Sequence, residues 1–371
     1  MFNYYNPSKI IFETGILKNK NKLKETIGDG DYCIFTYSDK VFQEYTNQII
    51  DALGKPKLII NNILPNPDYK NLKEISKSFS LKCSKIKFAI ALGGGSVIDT
   101  AKFIVLGKGN FDKTIEYVEK KVSSFPSTDI DLISIPTTAG TGSELTCWAT
   151  IWDEENQRKH SLIHQSLFSK LSIFDSELTL SLPKKITIET SLDAMSHSFE
   201  SIWNINSNPV SNIHARNSIN IILKNLPLLV KDLKNIKLRE EIMKASMSAG
   251  LAFSNTKTAI SHSISYPITL KYKVPHGIAC SFTLPIILKS VQGLDKTCDN
   301  NFKSLFPDFE NAPNKLKNFF KEIEVSTNFK DYIGNANDWD LIVKDAFGGE
   351  RGKNFIGSYK KVLEAQELLG Y

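Results

Sequence analysis

Residues 88–102 read FAIALGGGSVIDTAK: an apolar run, a triple glycine with a serine, and then a stretch at helical spacing. An apolar run of this length ending in glycine reads as a buried strand. Gly93, Gly94, Gly95 and Ser96 would let the backbone approach a phosphate. The amides at the start of the following helix would offer it hydrogen bonds and the positive end of the helix dipole. This segment is therefore a candidate pyrophosphate site built on Gly94, Gly95 and Ser96. Asp99 follows one helical turn later, and reads either as part of that site or as a helix-start carboxylate.

The same alternation extends outward from this segment. Residues 32–36, 58–60, 132–136 and 171–175 are further short apolar runs, with helix-like stretches such as 40–53 and 69–84 between them. Buried strands separated by helices predict a parallel, doubly wound, Rossmann-like sheet. After the strand at 132–136 comes PTTAGTGSELT (136–146), whose small hydroxyl residues suit the lining of a dinucleotide groove. Beyond residue 183 long stretches at helical period take over: 187–203, 207–230, 237–254, 256–267 and 277–292. The expected division is an α/β dinucleotide-binding domain over 1–177 and an all-α metal-binding and substrate domain over 178–371.

The bulk composition narrows the function. A chain of 371 residues fits two domains, and 41% hydrophobic with 23% charged residues describes an ordinary soluble protein. A net charge of +6 with lysines dispersed along the chain gives no argument for nucleic acid. The five cysteines, Cys33, Cys83, Cys147, Cys280 and Cys298, form no CxxC pair, so the spacing suggests neither a disulfide framework nor a thiolate zinc site. No apolar run is long enough to span a bilayer and the start has no apolar signal region, so a cytoplasmic protein is expected.

The helical half holds the chemistry. In TSLDAMSHSFE (190–200), Asp193 and His197 are spaced to share one helix face. His262 lies in SHSISYP (261–267) and His276 in VPHG (274–277). One carboxylate and three imidazoles form a donor set that a divalent transition metal accepts, and such a metal acts as a Lewis acid.

Taken together, GGGSVID (93–99), PTTAGTGSE (136–144), DAMSHSFE (193–200) and YKVPHG (272–277) resemble the iron-containing (group III) alcohol dehydrogenases. The resemblance runs from Asn6-Pro7 to Leu284-Pro285. It implies a dehydroquinate synthase-like architecture with the metal in a cleft between the two domains, and a homodimer. It also implies Fe2+ or Zn2+ held by Asp193, His197, His262 and His276, and NADH or NADPH as hydride carrier. Gly94, Gly95, Ser96 and Asp99 would surround the pyrophosphate. Thr137, Thr138, Thr141 and Ser143 would line the nucleotide groove, with Asn66 and Lys159 nearby. The implied reaction is reversible hydride transfer between an alcohol and an aldehyde.

Two positions depart from the family. Many members carry a second histidine four residues after the third ligand, where this chain has Tyr266, and a phenol does not titrate near neutral pH as an imidazole does. At the strand end facing the adenosine ribose the chain has TYSD (36–39). Asp39 there would oppose a 2′-phosphate if it points inward, so the choice between NAD and NADP stays open. Lys257, five residues before His262 and expected on the same helix, suits an anionic substrate. The stretch 253–285 is similar to the phosphonoacetaldehyde reductase branch, which makes 2-hydroxyethylphosphonate. The alternatives are a neutral-alcohol or polyol dehydrogenase of the same family, a lyase resembling 3-dehydroquinate synthase, and a non-catalytic nucleotide-binding protein.

Overall fold

The computed structural model describes residues 1–156, 158–334 and 336–370. They fall into two compact units. One comprises Asn6–Thr138 and Ser143–Thr179; the other comprises Met1–Tyr5, Ala139–Gly142 and Leu180–Tyr371.

The first unit is a sheet with helices on both faces. In chain order its elements are β1 (Lys9–Phe12), α1 (Lys20–Ile27), β2 (Tyr32–Phe35), α2 (Lys40–Leu53), β3 (Leu58–Ile60), α3 (Tyr69–Ser80), β4 (Phe88–Gly93), α4 (Gly95–Gly107), α5 (Phe111–Val118), β5 (Asp131–Pro136), β6 (Trp148–Asp153), β7 (Arg158–Ile163) and β8 (Leu171–Phe174). Six strands form one parallel sheet in the order β1-β8-β5-β4-β2-β3, while β6 and β7 pair antiparallel.

Alternate residues of each strand face opposite sides. Cys33, Phe35, Ala89 and Ala91 therefore pack with Leu72 and Phe79 of α3 and Val97 and Ala101 of α4. Tyr32, Ile34, Ile90 and Leu92 pack on the other side with Leu23 of α1 and Ile49 of α2. Because both faces are covered, β2, β4 and β8 are buried along their whole length. That burial explains why they read as unbroken apolar runs.

The second unit is helical, led by α6 (Lys184–Ile202), α7 (Pro209–Leu229), α8 (Ile236–Thr256), α9 (Ile260–Tyr272) and α10 (His276–Ser281). Helix α6 is buried continuously from Ser191 to Ile202 although it is rich in serine. Ser191, Ser196, Ser198 and Ser201 each donate to the carbonyl four residues earlier, so the hydroxyls are satisfied within their own helix. Gly277 lets α10 approach α6 backbone to backbone: a Cβ there would lie 1.8 Å from the Glu189 carbonyl oxygen.

The fold class is the expected one, a parallel α/β domain followed by a helical one. Several local details differ from expectation, among them the stretch 277–292, which is two helices, His276–Ser281 and Leu284–Val291. Strand β1 and the β6–β7 pair were not foreseen, and the helix expected over 69–84 ends at Ser80. The helix expected over 256–267 is two helices: α8 stops at Thr256 and α9 begins at Ile260.

Candidate active site

Within the helical unit, Asp193, His262, His276 and Cys280 each bring one donor atom to within 4.8 Å of the others. Asp193 Oδ1 is the shared neighbour: it lies 3.3 Å from His262 Nε2, 3.7 Å from His197 Nε2 and 3.9 Å from His276 Nε2. Cys280 stands at 3.6 Å, its thiol also directed to the Gly277 carbonyl. His197 lies at the edge of this group. Its ring stacks on Phe253 at 3.9 Å and on His262 at 4.6 Å between centroids. All four residues named from the sequence thus converge, and the cysteine spacing gave no warning that Cys280 would join them.

The electrostatics suit cation binding. Burial alone would raise the Asp193 carboxyl, yet the surrounding imidazoles hold it well below the usual carboxylate range. Burial pushes His197 down to about 4, so its imidazole is neutral at physiological pH, as a metal ligand must be. His262 is raised despite burial, because Glu200 and Asp193 flank it. Its Nδ1 pairs with Glu200 Oε2 at 2.7 Å, and Glu200 also accepts from the backbone amides of Ala259 and His262. A neutral imidazole donating Nδ1–H presents a lone pair at Nε2. That Nε2 atom is buried and makes no hydrogen bond of acceptable geometry among the described residues. A cation would satisfy it, so this donor set fits the metal that the resemblance implies.

Tyr266 and Lys257 fare differently. The Tyr266 ring lies parallel to His276, with centroids 6.3 Å apart, and the Arg351 guanidinium sits over it at 4.5 Å. Lys257 does not share a helix with His262. It is the exposed C-cap residue of α8, at φ 64°, and its carbonyl accepts from Asn204. The helical spacing that pointed Lys257 toward the site therefore does not exist.

In the sheet unit, the cofactor candidates gather at the C-terminal ends of β4 and β5. Gly94 caps α4, so the amides of Gly95 and Ser96 lie in its first turn, where no intrahelical acceptor exists. The Asn66 amide donates to Ser96 Oγ at 3.1 Å, and the Thr137 amide to the Gly93 carbonyl. Thr138 faces Gly94, whose added Cβ would lie 3.3 Å from its side chain. Asp39 is exposed at the start of α2. Asp99 turns inward: its carboxylate accepts from Ser143 Oγ and, at 2.8 Å, from the Thr150 amide. Lys159 rests over the Trp152 ring on the β6–β7 pair. Thr141 belongs to a short segment, Ala139–Gly142, that packs with the helical unit.

Known proteins match this arrangement. Residues 7–176 match the model of iron-containing alcohol dehydrogenases, and residues 187–365 match that of the C-terminal part of the Fe-containing alcohol dehydrogenase family. The chain belongs to the iron-containing alcohol dehydrogenase family. It is an enzyme of that oxidoreductase class, in which iron and NAD are the cofactors. The sulfoacetaldehyde reductase of Bilophila wadsworthia is 28% identical over 71% of this chain and 70% of its own length. The probable alcohol dehydrogenase EutG of Escherichia coli K12 is 36% identical over 54% of the chain, a match covering only 50% of EutG. The crystal structure of sulfoacetaldehyde reductase from Bifidobacterium kashiwanohense in complex with NAD+ superposes with a TM-score of 0.90 at 25% identity, covering 100% of this chain and 98% of that one. The matched structures share the dehydroquinate synthase-like fold.

Besides Cys280, Glu200 and Lys102 were not foreseen from the sequence. Glu200 closes a quoted motif, but its task depends on His262, 62 positions away. Lys102, on the inner face of α4, is fully buried, and its ammonium donates to the carbonyls of Ser143, Thr146 and Trp148 at 2.6–2.8 Å. It thereby fixes the second hydroxyl-rich loop to the helix of the glycine turn. Each buried carbonyl left without a donor costs about 1–3 kcal/mol, so Lys102→Met should lower unfolding stability by about 3 kcal/mol or more in denaturant titrations. Burial pushes the Lys102 ammonium down to about 8 against the pull of Asp99. From there to about pH 10 the unfolded chain binds the extra proton. Wild-type stability should therefore rise with pH relative to the variant across that window. A variant as stable as wild type, with a parallel pH curve, would remove this role.

Proposed function

We propose that the protein reduces a two-carbon aldehyde bearing a tetrahedral anionic group, phosphonate or sulfonate, to the corresponding 2-hydroxyethyl product. The observation that carries this reading is the similarity, over most of the chain, to two sulfoacetaldehyde reductases. The likeness of residues 253–285 to phosphonoacetaldehyde reductases points to the same substrate shape, with phosphonate in place of sulfonate.

In this reading Asp193, His197, His262 and His276 hold the metal, with the Cys280 thiol beside them. Gly94, Gly95, Ser96, Thr137 and Thr138 form the bed for the dinucleotide, and residues 1–177 and 178–371 divide the two tasks. When bound, the metal supplies a Lewis acid for a carbonyl oxygen and the reduced nicotinamide supplies the hydride. The chain's own residues do the positioning. Glu200 fixes the His262 ring, Tyr266 braces His276, and the Tyr266 phenol is the proton donor for the product oxygen in place of the family's second histidine. Asp99 acts one step removed from the dinucleotide, by holding Ser143 and Thr150.

Two measurements test this reading. Oxidation of NADH and NADPH by the metal-loaded enzyme should be compared with phosphonoacetaldehyde, sulfoacetaldehyde and propionaldehyde. A kcat/KM that favours either anionic aldehyde by tenfold or more, on the order of one good contact, supports the proposal. An equal or greater value for propionaldehyde returns the enzyme to the neutral-alcohol dehydrogenases, and absence of net cofactor oxidation with every aldehyde favours a lyase. Second, Glu200→Gln should weaken metal binding by about 10–100-fold, the usual effect of losing a carboxylate that orients a ligating imidazole. Metal retained against a chelator reports this directly, and retention equal to wild type would show that Glu200 does not serve the metal.

A further inference from the structure

The C-terminal segment FGGERGKN (347–354) carries no motif that the sequence reading could interpret. Arg351 lies within it, 75 positions or more from the histidines in the chain (351 against 276, 262 and 197), yet its guanidinium sits 4.5 Å above the Tyr266 ring, which is itself parallel to His276. The segment is fastened to the helices that carry the metal candidates. Ser263 Oγ donates to the Ala346 carbonyl, and Asn354 Nδ2 donates to the Thr258 carbonyl at 2.8 Å. The Ile205 amide donates to Asn354 and the Ile356 amide to Trp203. Gly352 allows the tight fold-back that brings Arg351 in, since a Cβ there would lie 2.1 Å from the Ala346 carbonyl oxygen. Arg351 is partly buried, and burial lowers its guanidinium while the charge of Glu200, the carboxylate that orients His262, works in the opposite direction.

We infer that Arg351 is the anion-recognition residue of this dehydrogenase, its guanidinium receiving the phosphonate or sulfonate of a substrate whose aldehyde lies at the His276 side of Tyr266. The inference deepens the proposed function and rests on it. A planar guanidinium offers two parallel donors that match two oxygens of a tetrahedral oxyanion. Stacking on Tyr266 holds the fork by a cation–π contact. A two-carbon aldehyde spans only a few ångströms between its carbonyl and its anionic group. The Tyr266 ring has the Arg351 guanidinium over it and the His276 ring parallel to it, so a cation and a metal candidate both neighbour one aromatic ring. Exposed Lys257, which the sequence favoured for this task, has no such connection.

The test uses metal-loaded wild type, Arg351→Met and Arg351→Lys, with sulfoacetaldehyde, phosphonoacetaldehyde and propionaldehyde as substrates and ethanesulfonate as a non-reacting competitor. In wild type, ethanesulfonate should compete with the anionic aldehydes. In Arg351→Met, kcat/KM for the anionic aldehydes should fall by about 100-fold relative to that for propionaldehyde, mostly through KM, and ethanesulfonate inhibition should be lost. Arg351→Lys keeps the charge without the fork, so KM for the anionic aldehydes should rise by about tenfold while some preference survives. If wild type prefers the anionic aldehydes and Arg351→Met keeps that preference, Arg351 is not the contact although the proposed function stands. An unchanged KM in Arg351→Lys overturns the inference even if Arg351→Met fails to fold. If wild type shows no preference, the proposed function and this inference fall together.

Discussion

The arrangement of the helical unit follows from holding a carboxylate and two imidazoles in a nearly dry interior, with the third, His276, at its partly exposed edge. Asp193 and His197 are 6% and 5% exposed, and His262 is 3% exposed. Charges removed from water to that degree persist only when paired and hydrogen-bonded. Asp193 has the imidazoles around it, and His262 has Glu200, itself tied to two backbone amides. The helices must approach closely enough to make these pairings. Serines on α6 that bond to their own backbone keep its surface small, and Gly277 removes the one side chain that would hold α10 away. Packing and electrostatics here are one problem, since a looser fit would leave buried charge without a counter-charge.

The sheet unit solves a related problem with an opposite sign. The glycine turn and the hydroxyl-rich loop are both stretches without large side chains, so neither can hold its shape by apolar packing. Lys102 and Asp99, one turn apart on α4, bind that loop through its carbonyls, the Ser143 hydroxyl and the Thr150 amide. A buried lysine is costly, and three carbonyl acceptors with a neighbouring carboxylate are what offset that cost. The glycine turn and this loop are therefore shaped from beneath, by Lys102 and Asp99.

Legibility in the sequence followed the range of the interactions concerned. Strands β2, β4, β5 and β8 were readable because burial on both faces turns them into plain apolar runs. KIIF (9–12) was missed, being only partly buried, and WATIWD (148–153) was missed because it follows a polar loop without a turn signal. The break at Lys257 was invisible because it occurs at a lysine with positive φ, with no glycine or proline to mark it. The Asp193–His197 pair is local, so helical spacing revealed it. Glu200, Cys280 and Arg351 acquire their meaning from partners 60 or more positions away, which periodicity does not report.

The tyrosine at a position where many relatives have histidine and the guanidinium of Arg351 over its ring have a common physical explanation. An imidazole at position 266 would be cationic for part of the physiological pH range and would repel a guanidinium stacked on it. A phenol presents a neutral ring with a negative face, which attracts that guanidinium at every pH the enzyme meets. Tyr266 and Arg351 are therefore compatible where histidine and arginine are not. Exchanging an imidazole for a phenol gives up a group that titrates near neutral pH and permits a permanent positive charge over the ring beside His276. A neutral aldehyde gains nothing from that charge. An aldehyde carrying its own negative charge does, and this asymmetry is the physical basis of the proposal that the site serves an anionic substrate.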